Sequence, residues 1–278
     1  MTRSSSLNRA LTSFVVWPIV LIIVFPLIWM VLTSVKPQSE LFRIPPSFWP
    51  QSITFEHYTT LLIETPFLTY LRNSVVLSVS TTILVVVVAV AGAYSLTRFH
   101  YRGRERLAVL LLFTYLLPSV VLVLPLYLAM VKAGIANSLF SLVIAYTSFA
   151  LPYALWLLRS FMASLPVDLE SAALIDGASR LGAFVDIVLP QALPGIISTA
   201  LFTFILAWNE YFYALILVNT DEARPLTTGV ITMLVSSFNI EWSLLMAAAV
   251  GMSLPLIVIF IFLQRYLVKG FAGTGVKG

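Results

Sequence analysis

The sequence predicts an all-α membrane protein of six transmembrane helices, and three observations carry that prediction. First, 60% of the 278 residues are hydrophobic and only 10% are charged, with a mean hydropathy of +0.99. A soluble domain is about 45–50% apolar and about 25% charged, so water cannot be the solvent for this much apolar surface. Second, the apolar runs are continuous and about 20 residues long, the length a helix needs to cross a ~30 Å hydrocarbon layer. Third, they lack the alternation over about ten positions that marks a membrane barrel strand. Lipid leaves every backbone polar group to be satisfied by the chain itself, which permits only helices or closed barrels. Helices are what these runs fit.

The spans are expected at 14–35, 74–96, 107–131, 139–161, 196–218 and 244–267, in one transmembrane domain covering 1–278. The first is too long for the 7–15-residue apolar stretch of a signal peptide and lacks a small-x-small cleavage site, so it is expected to be retained. Pro18, Pro26, Pro118, Pro125, Pro152 and Pro255 lie inside spans; neighbouring helices can satisfy the carbonyls they free. Six spans put both termini on one side. If that side is the cytoplasm, eleven of the 16 Lys and Arg residues lie there and five lie outside, the asymmetry of the positive-inside rule. The loop 98–106, with Arg98, Arg102, Arg104 and Arg106, contributes most to that count. Of the two long outer segments, 36–73 contains the turn-forming Ile44, Pro45, Pro46 and Ser47 beside Phe48, Trp49 and Tyr58, and is expected to fold partly on the membrane surface. No internal repeat and no low-complexity linker divides the chain.

Several function classes are excluded or disfavoured. The chain has no cysteine, hence no disulfide or thiol chemistry. His57 and His100 stand apart without ligand-like companions, so no metal site and no catalytic residue is expected. The formal charge of +4 is explained by topology rather than by nucleic acid.

Residues 162–195, between the fourth and fifth spans, are too many for a plain connection, which needs about 2–8. Pro166 and Asp168 favour a helix start there, and Glu170 suits its positive end. Leu169, Ala172 and Ala173 make a narrow apolar stripe. Gly177 is a natural stop, Ser179 can cap a second short helix, and Pro190 and Pro194 are expected to end it. A stripe of small side chains allows close approach of another surface, and Glu170 and Asp176 could steer a basic partner. The segment therefore reads as a docking helix. The other reading is a helix lying on lipid, which would want Lys or Arg on one face and Trp, Phe or Leu on the other.

Ala172, Ala173, Asp176, Gly177 and Ala178, followed by Phe184, Ile187, Leu189, Pro190 and Pro194, resemble the EAA motif of ABC importer permeases. The motif's leading glutamate aligns with Ser171, and Glu170 stands one place earlier, about 100° round a helix. Asn73 and Ser74, the group Trp208, Asn209 and Glu210, and the tail after Gln264 are similar to the carbohydrate permeases of the MalG type. The resemblance implies an ABC importer permease fold, a bacterial inner-membrane location with both termini cytoplasmic, and an EAA loop that couples to an ATPase through Glu170, Ser171, Ala172, Ala173, Asp176 and Gly177. It further implies a second homologous permease subunit, a cytoplasmic ATPase dimer and an extracytoplasmic solute-binding protein, with a sugar-like solute. The chain carries no G-x-x-x-x-G-K-[ST] loop. No cofactor is therefore expected in it, and ATP and Mg belong to the partner ATPase.

Intramembrane acids face the bundle interior by default. Trp208, Asn209, Glu210 and Tyr213 offer the acid, amide and aromatic groups that suit a sugar, and so are candidates for the substrate pathway. The other reading of Glu210, slightly favoured, is a buried structural hydrogen-bonding group or a place near the interface with an aromatic belt. The stretch 220–238 is either a loop that reaches the solute-binding protein or a packed re-entrant segment. The tail 268–278 either inserts between the ATPases or is an unordered end. The alternative function, a secondary active transporter with no ATPase partner, would need paired intramembrane ionisable groups and usually a repeat; Glu210 stands alone.

Overall fold

Apolar runs that must satisfy their own backbone groups become helices, and every regular element found is helical. The structure, a computed structural model, describes residues 4–116, 118–235 and 241–272. In chain order the α-helices are α1 (Ser4–Ser34), α2 (Gln38–Leu41), α3 (Glu56–Thr59), α4 (Phe67–Arg98), α5 (Arg104–Leu116), α6 (Ser119–Lys132) and α7 (Leu139–Ala163). They continue with α8 (Asp168–Ile175), α9 (Arg180–Ala183), α10 (Leu189–Asn209), α11 (Phe212–Leu217), α12 (Leu226–Val235) and α13 (Trp242–Ala272). Wider π-turns follow α3 at Thr60–Glu64 and α9 at Phe184–Val188.

Five of these runs are long and apolar enough to cross a membrane, and the bent pair α5 and α6 brings the number to six if it is one broken span rather than a re-entrant loop. The pair is the main departure from the expected spans. The run at 107–131 is not one straight helix: α5 and α6 diverge by 96°, and Pro118 stands as the N-cap of α6 with ψ 124°. Proline has no N–H to donate and disfavours helical geometry in the residue before it. Pro18, Pro26, Pro125, Pro152 and Pro255 leave their helices intact. Pro190 and Pro194, expected as stops, are another correction. Pro190 sits in the first turn of α10 and Pro194 inside it, so one helical run extends from Arg180 to Asn209. Proline's missing N–H costs nothing in a first turn, and the π-turn absorbs the register change just before it. The run also ends earlier than 218, at Asn209, with α11 following after a break.

The chain divides into two compact units, one of residues 1–68 with 230–255 and one of 69–229 with 256–278. In the first unit the segment after α1 is folded on itself. The Lys36 ammonium is buried, donates to the carbonyls of Ser47 (2.6 Å) and Phe48 (3.0 Å), and lies 5.2 Å from the Trp29 ring centre. Glu40 is buried beside it, accepting from the Ser47 hydroxyl (2.7 Å) and the Gln51 amide (3.0 Å). Phe48 packs on Phe25 and Trp29 of α1.

The second unit is built round α4, α7 and α10. Small residues let these helices approach closely, as membrane packing requires: Ala89, Ala93, Ala150, Ala154 and Ala192 are buried together with Leu158 and Met162. At Gly195 a Cβ would stand 2.5 Å from the Phe161 ring, so only glycine permits this α7–α10 contact. Asn73 and Ser74 near the start of α4 have a structural task. The Asn73 amide donates to the carbonyls of Glu222 and Arg224, both at 2.9 Å, and the Ser74 hydroxyl accepts from the Leu226 amide at 2.7 Å. Tyr70 donates to Asp221 (2.8 Å) and its ring lies against Gly229. The first part of the 220–238 stretch is thus packed on α4, while residues 236–240, like the tail residues 273–278, lie outside the described residues.

Candidate functional site

The connecting segment after α7 folds as its punctuation predicts. α8 starts just after Pro166 with Asp168 and Glu170 in its first turn. It ends where Gly177 adopts φ 91°, a left-handed value that glycine takes without strain. The Gly177 amide bonds to the Leu174 carbonyl (3.2 Å) and the Ala178 amide to that of Ala173 (3.0 Å), the paired closure of a Schellman motif. The Ser179 hydroxyl then accepts from the Gly182 amide at 3.0 Å and starts α9.

One side of α8 is clamped. Glu170 is buried; its carboxylate takes the Arg98 Nε at 2.8 Å and the Tyr94 hydroxyl at 2.6 Å. Arg98 also donates to the Leu165 carbonyl at 3.4 Å. The Tyr94 ring lies 4.5 Å from that of Phe184 in the π-turn and edge-on to Phe99, over which the Arg180 guanidinium is placed. A 32-residue helix is ~48 Å long at 1.5 Å per residue, longer than a ~30 Å hydrocarbon layer, so the end of α4 can project to meet this segment. Glu170, expected to face a basic partner, is turned inward instead. Two partners from α4 satisfy its charge, and an unpaired acid could not be buried there.

The other side of α8 is bare. At 100° per residue, Asp168, Ser171, Ala172 and Ile175 lie away from Glu170, and all are exposed, Ile175 at 86%. Asp176 and Gly177 are exposed beside them, while Ala173 is half-buried on the inner flank. The apolar stripe expected from Leu169, Ala172 and Ala173 is therefore rotated: Ala172 faces out and Ala173 partly in. Ile175, Arg98 and Tyr94 were not singled out in the sequence. Ile175 sits one place before the motif's acid, and its exposure depends on where Glu170 points. Arg98 was visible only as one member of a basic loop.

The other candidate group does not converge on one surface. Trp208 is buried and stacks on Phe204. Tyr213 is buried, stacks on Phe149, and donates to the Ser119 carbonyl at 2.9 Å. Asn209 is exposed, its amide bonded to the Ile205 carbonyl. Glu210 is half-buried at the break between α10 and α11, and its carboxylate accepts from the amides of Phe212 (2.9 Å), Tyr213 (3.0 Å) and Ala214 (3.3 Å). Those are the orphan donors of a helix start. The arrangement is that of a cap, and it explains why the helix breaks at a position with neither glycine nor proline. Among the described residues no group of three or more His, Asp or Glu side chains could hold a metal ion.

Comparison with known proteins matches residues 85–273 to the family described as binding-protein-dependent transport system inner membrane component. The chain is 36% identical over 270 residues to the diacetylchitobiose uptake system permease protein DasC of Streptomyces coelicolor, covering 95% of this chain and 97% of that one. It is 32% identical to the trehalose/maltose transport system permease protein MalG of Thermococcus litoralis, over 99% of each. It is 32% identical to the sulfoquinovosyl glycerol transport system permease protein SmoH of Agrobacterium fabrum, over 91% of this chain and 89% of that one. Among solved structures the fold is similar to a bacterial ABC transporter involved in import of the acidic polysaccharide alginate, with TM-score 0.82, 23% identity and 96% and 99% of the two chains covered. A second match, TM-score 0.68 at 16% identity over 99% and 97%, is the bacterial alginate ABC transporter in complex with an alginate pentasaccharide-bound periplasmic protein.

Proposed function

Because the chain belongs to the family of binding-protein-dependent transport system inner membrane components, we propose that it is one of two permease subunits of a bacterial ABC importer. Its solute is a carbohydrate or a related polyol or sugar derivative, a class supported by the names of its relatives. A second, homologous permease supplies the other half of the pathway. A solute-binding protein delivers from outside. A cytoplasmic ATPase dimer binds ATP and Mg and supplies the energy, since this chain has no phosphate-binding loop. Both termini and α8 face the cytoplasm, a reading supported by the distribution of Lys and Arg.

The observation that carries this reading is the contrast between the two sides of α8. A helix with Ser171, Ala172 and Ile175 bare on one side, and a buried ion pair on the other, is a handle held by the bundle and offered to a partner. Asp168 and Asp176 at its two ends favour a basic partner surface. ATPase closure displaces α8 as a rigid body. The displacement reaches α4 through Arg98 and Tyr94, and α10 through the unbroken helical run from Arg180. Access then switches between the two sides of the membrane, a two-state change biased at a distant site. In the pathway, exposed Asn209 contacts solute, while Glu210, Trp208 and Tyr213 hold its surroundings.

Ile175→Asp tests the docking. The side chain is exposed, so the bundle should assemble normally. Loss of an apolar anchor should weaken ATPase co-purification by about tenfold or more, and uptake with it. Unchanged association and uptake would overturn the docking assignment, and uptake with no ATPase present would favour an ion-driven carrier.

A further inference from the structure

The turn between α4 and α5 holds two features that the coupling role does not use. His100, Tyr101, Arg102, Gly103, Arg104, Glu105 and Arg106 line an open cleft of about 640 Å³. Glu105 is engaged by both Arg104 (3.1 Å) and Arg159 (2.6 Å). Arg102 and Arg106 are exposed and make no hydrogen bond or ion pair among the described residues. Gly103, at φ 90°, leads into α5. The first backbone bonds there are Arg104 N–H to Tyr101 and Leu107 N–H to Gly103, which leaves the amides of Glu105 and Arg106 without backbone acceptors among the described residues, as first-turn amides are. Two unpaired guanidiniums and the free amides of a helix start are suited to an anion.

The second feature continues from the first. Glu105, Arg106, Val109, Leu110 and Phe113 line a shallow groove of about 370 Å³. Arg106, Val109, Leu110 and Phe113 fall at i, i+3, i+4 and i+7, one face of α5. The three apolar side chains are exposed. Arg106 borders both cavities. An occupant that satisfies both is anionic at one end and apolar over the next ~10 Å, seven residues of helical rise. We propose that the α4–α5 turn and this face of α5 bind one anionic phospholipid, its phosphate on Arg102 and Arg106 and an acyl chain along Val109, Leu110 and Phe113. An acidic protein surface would match the arginines and leave the groove bare. A zwitterionic lipid would fill the groove and bring no net charge to the arginines.

The chain has no cysteine, so Val109→Cys introduces its only thiol, and with the partner subunits' cysteines replaced by serine it carries the one fluorophore of the full complex held in nanodiscs. Brominated phosphatidylglycerol and brominated phosphatidylcholine, each diluted in unbrominated phosphatidylcholine, are compared as quenchers. Phosphatidylglycerol should quench at a several-fold lower fraction. Arg102→Ala and Arg106→Ala should each reduce that preference about fivefold, the effect of one basic residue near an anionic surface. Replacing both with Lys should retain most of it, and millimolar inorganic phosphate should not compete. Equal quenching by the two lipids, or a preference that survives the double alanine variant, would overturn the proposal. So would quenching by neither lipid, which would place protein on the groove, or loss of ATPase co-purification in the double variant with lipid preference intact.

Discussion

Glu170 lies on α8, before the helical run that carries α10, and Glu210 just after it, and each carboxylate is engaged inside the chain by partners of a different kind. Glu170 takes a guanidinium and a hydroxyl from α4, 72 and 76 residues earlier in sequence. Glu210 takes the amides of its own next turn, two to four residues later. The first contact joins distant elements and requires charge on both sides. The second is local and requires only an acceptor. An acid near a membrane-crossing helix is therefore not by itself a transport residue; its partners decide whether it links, caps or meets solute.

The comparison breaks most readily at the ion pair, where the largest effect is expected. Arg98 and Glu170 have side chains only 8% and 10% exposed. Removing one partner from such a pair leaves a buried charge unmatched and costs about 3–5 kcal/mol. Arg98→Ala and Glu170→Ala should each lower the thermal stability of the purified complex. Each should also lower the uptake obtained per ATP hydrolysed, because α8 would move without α4. The charge-exchanged pair, Arg98→Glu with Glu170→Arg, should recover part of both. If the single variants keep normal stability and normal coupling, the link between α8 and α4 carries no load.

Glu210 sharpens the contrast through a smaller effect. A cap needs an acceptor oxygen, so Glu210→Gln should keep most of the stability and uptake. Glu210→Ala should lose about 1 kcal/mol, the ordinary value of a helix cap. If glutamine fails as badly as alanine while stability is normal, charge matters at this position and Glu210 acts on the solute.

The unequal legibility of these regions has a physical reason. The helices follow from composition and run length, and the 166–179 punctuation is legible because Pro166 and Gly177 act through their own backbone and Ser179 through a hydroxyl that reaches only three residues on. Glu170 was visible as an acid of α8, but its direction was not, since that depends on Arg98 and Tyr94 on an element far away in sequence. The break at Glu210 escaped for the opposite reason. A glutamate capping its own following turn leaves no glycine or proline signal, and the apolar run continues on both sides. Pro190 and Pro194 misled because a proline stops a helix or starts one according to its neighbours. Asn73 and Ser74 carried a resemblance, but only the fold shows that they hold the 222–226 backbone.

A third glutamate extends the comparison to the segment after α1 and supplies its mildest test. The Ser47 hydroxyl, with the amides of Gln51 and Ser52 and the nearby Lys36, holds the Glu40 carboxyl below its ordinary range against the opposing effect of burial. Lys36 itself is occupied by the carbonyls of Ser47 and Phe48 rather than by the carboxylate, so Glu40 resembles Glu210 in taking local hydrogen bonds and Glu170 in lying beside a cation. A group whose folded pKa is depressed stabilises above its unfolded value, about 4.3 for glutamate, and that stabilisation is lost as pH falls through the folded value. Hydrogen-exchange protection at the Gln51 amide, corrected for intrinsic rates, should be flat from pH 7 to about pH 5 and should decline at lower pH. Glu40→Gln should remove the decline, because its amide does not titrate. Ser47→Ala should move the decline to higher pH, because the largest of the lowering interactions is gone. A decline that persists unchanged in Glu40→Gln would assign it to another acid and leave the segment after α1 independent of this carboxylate.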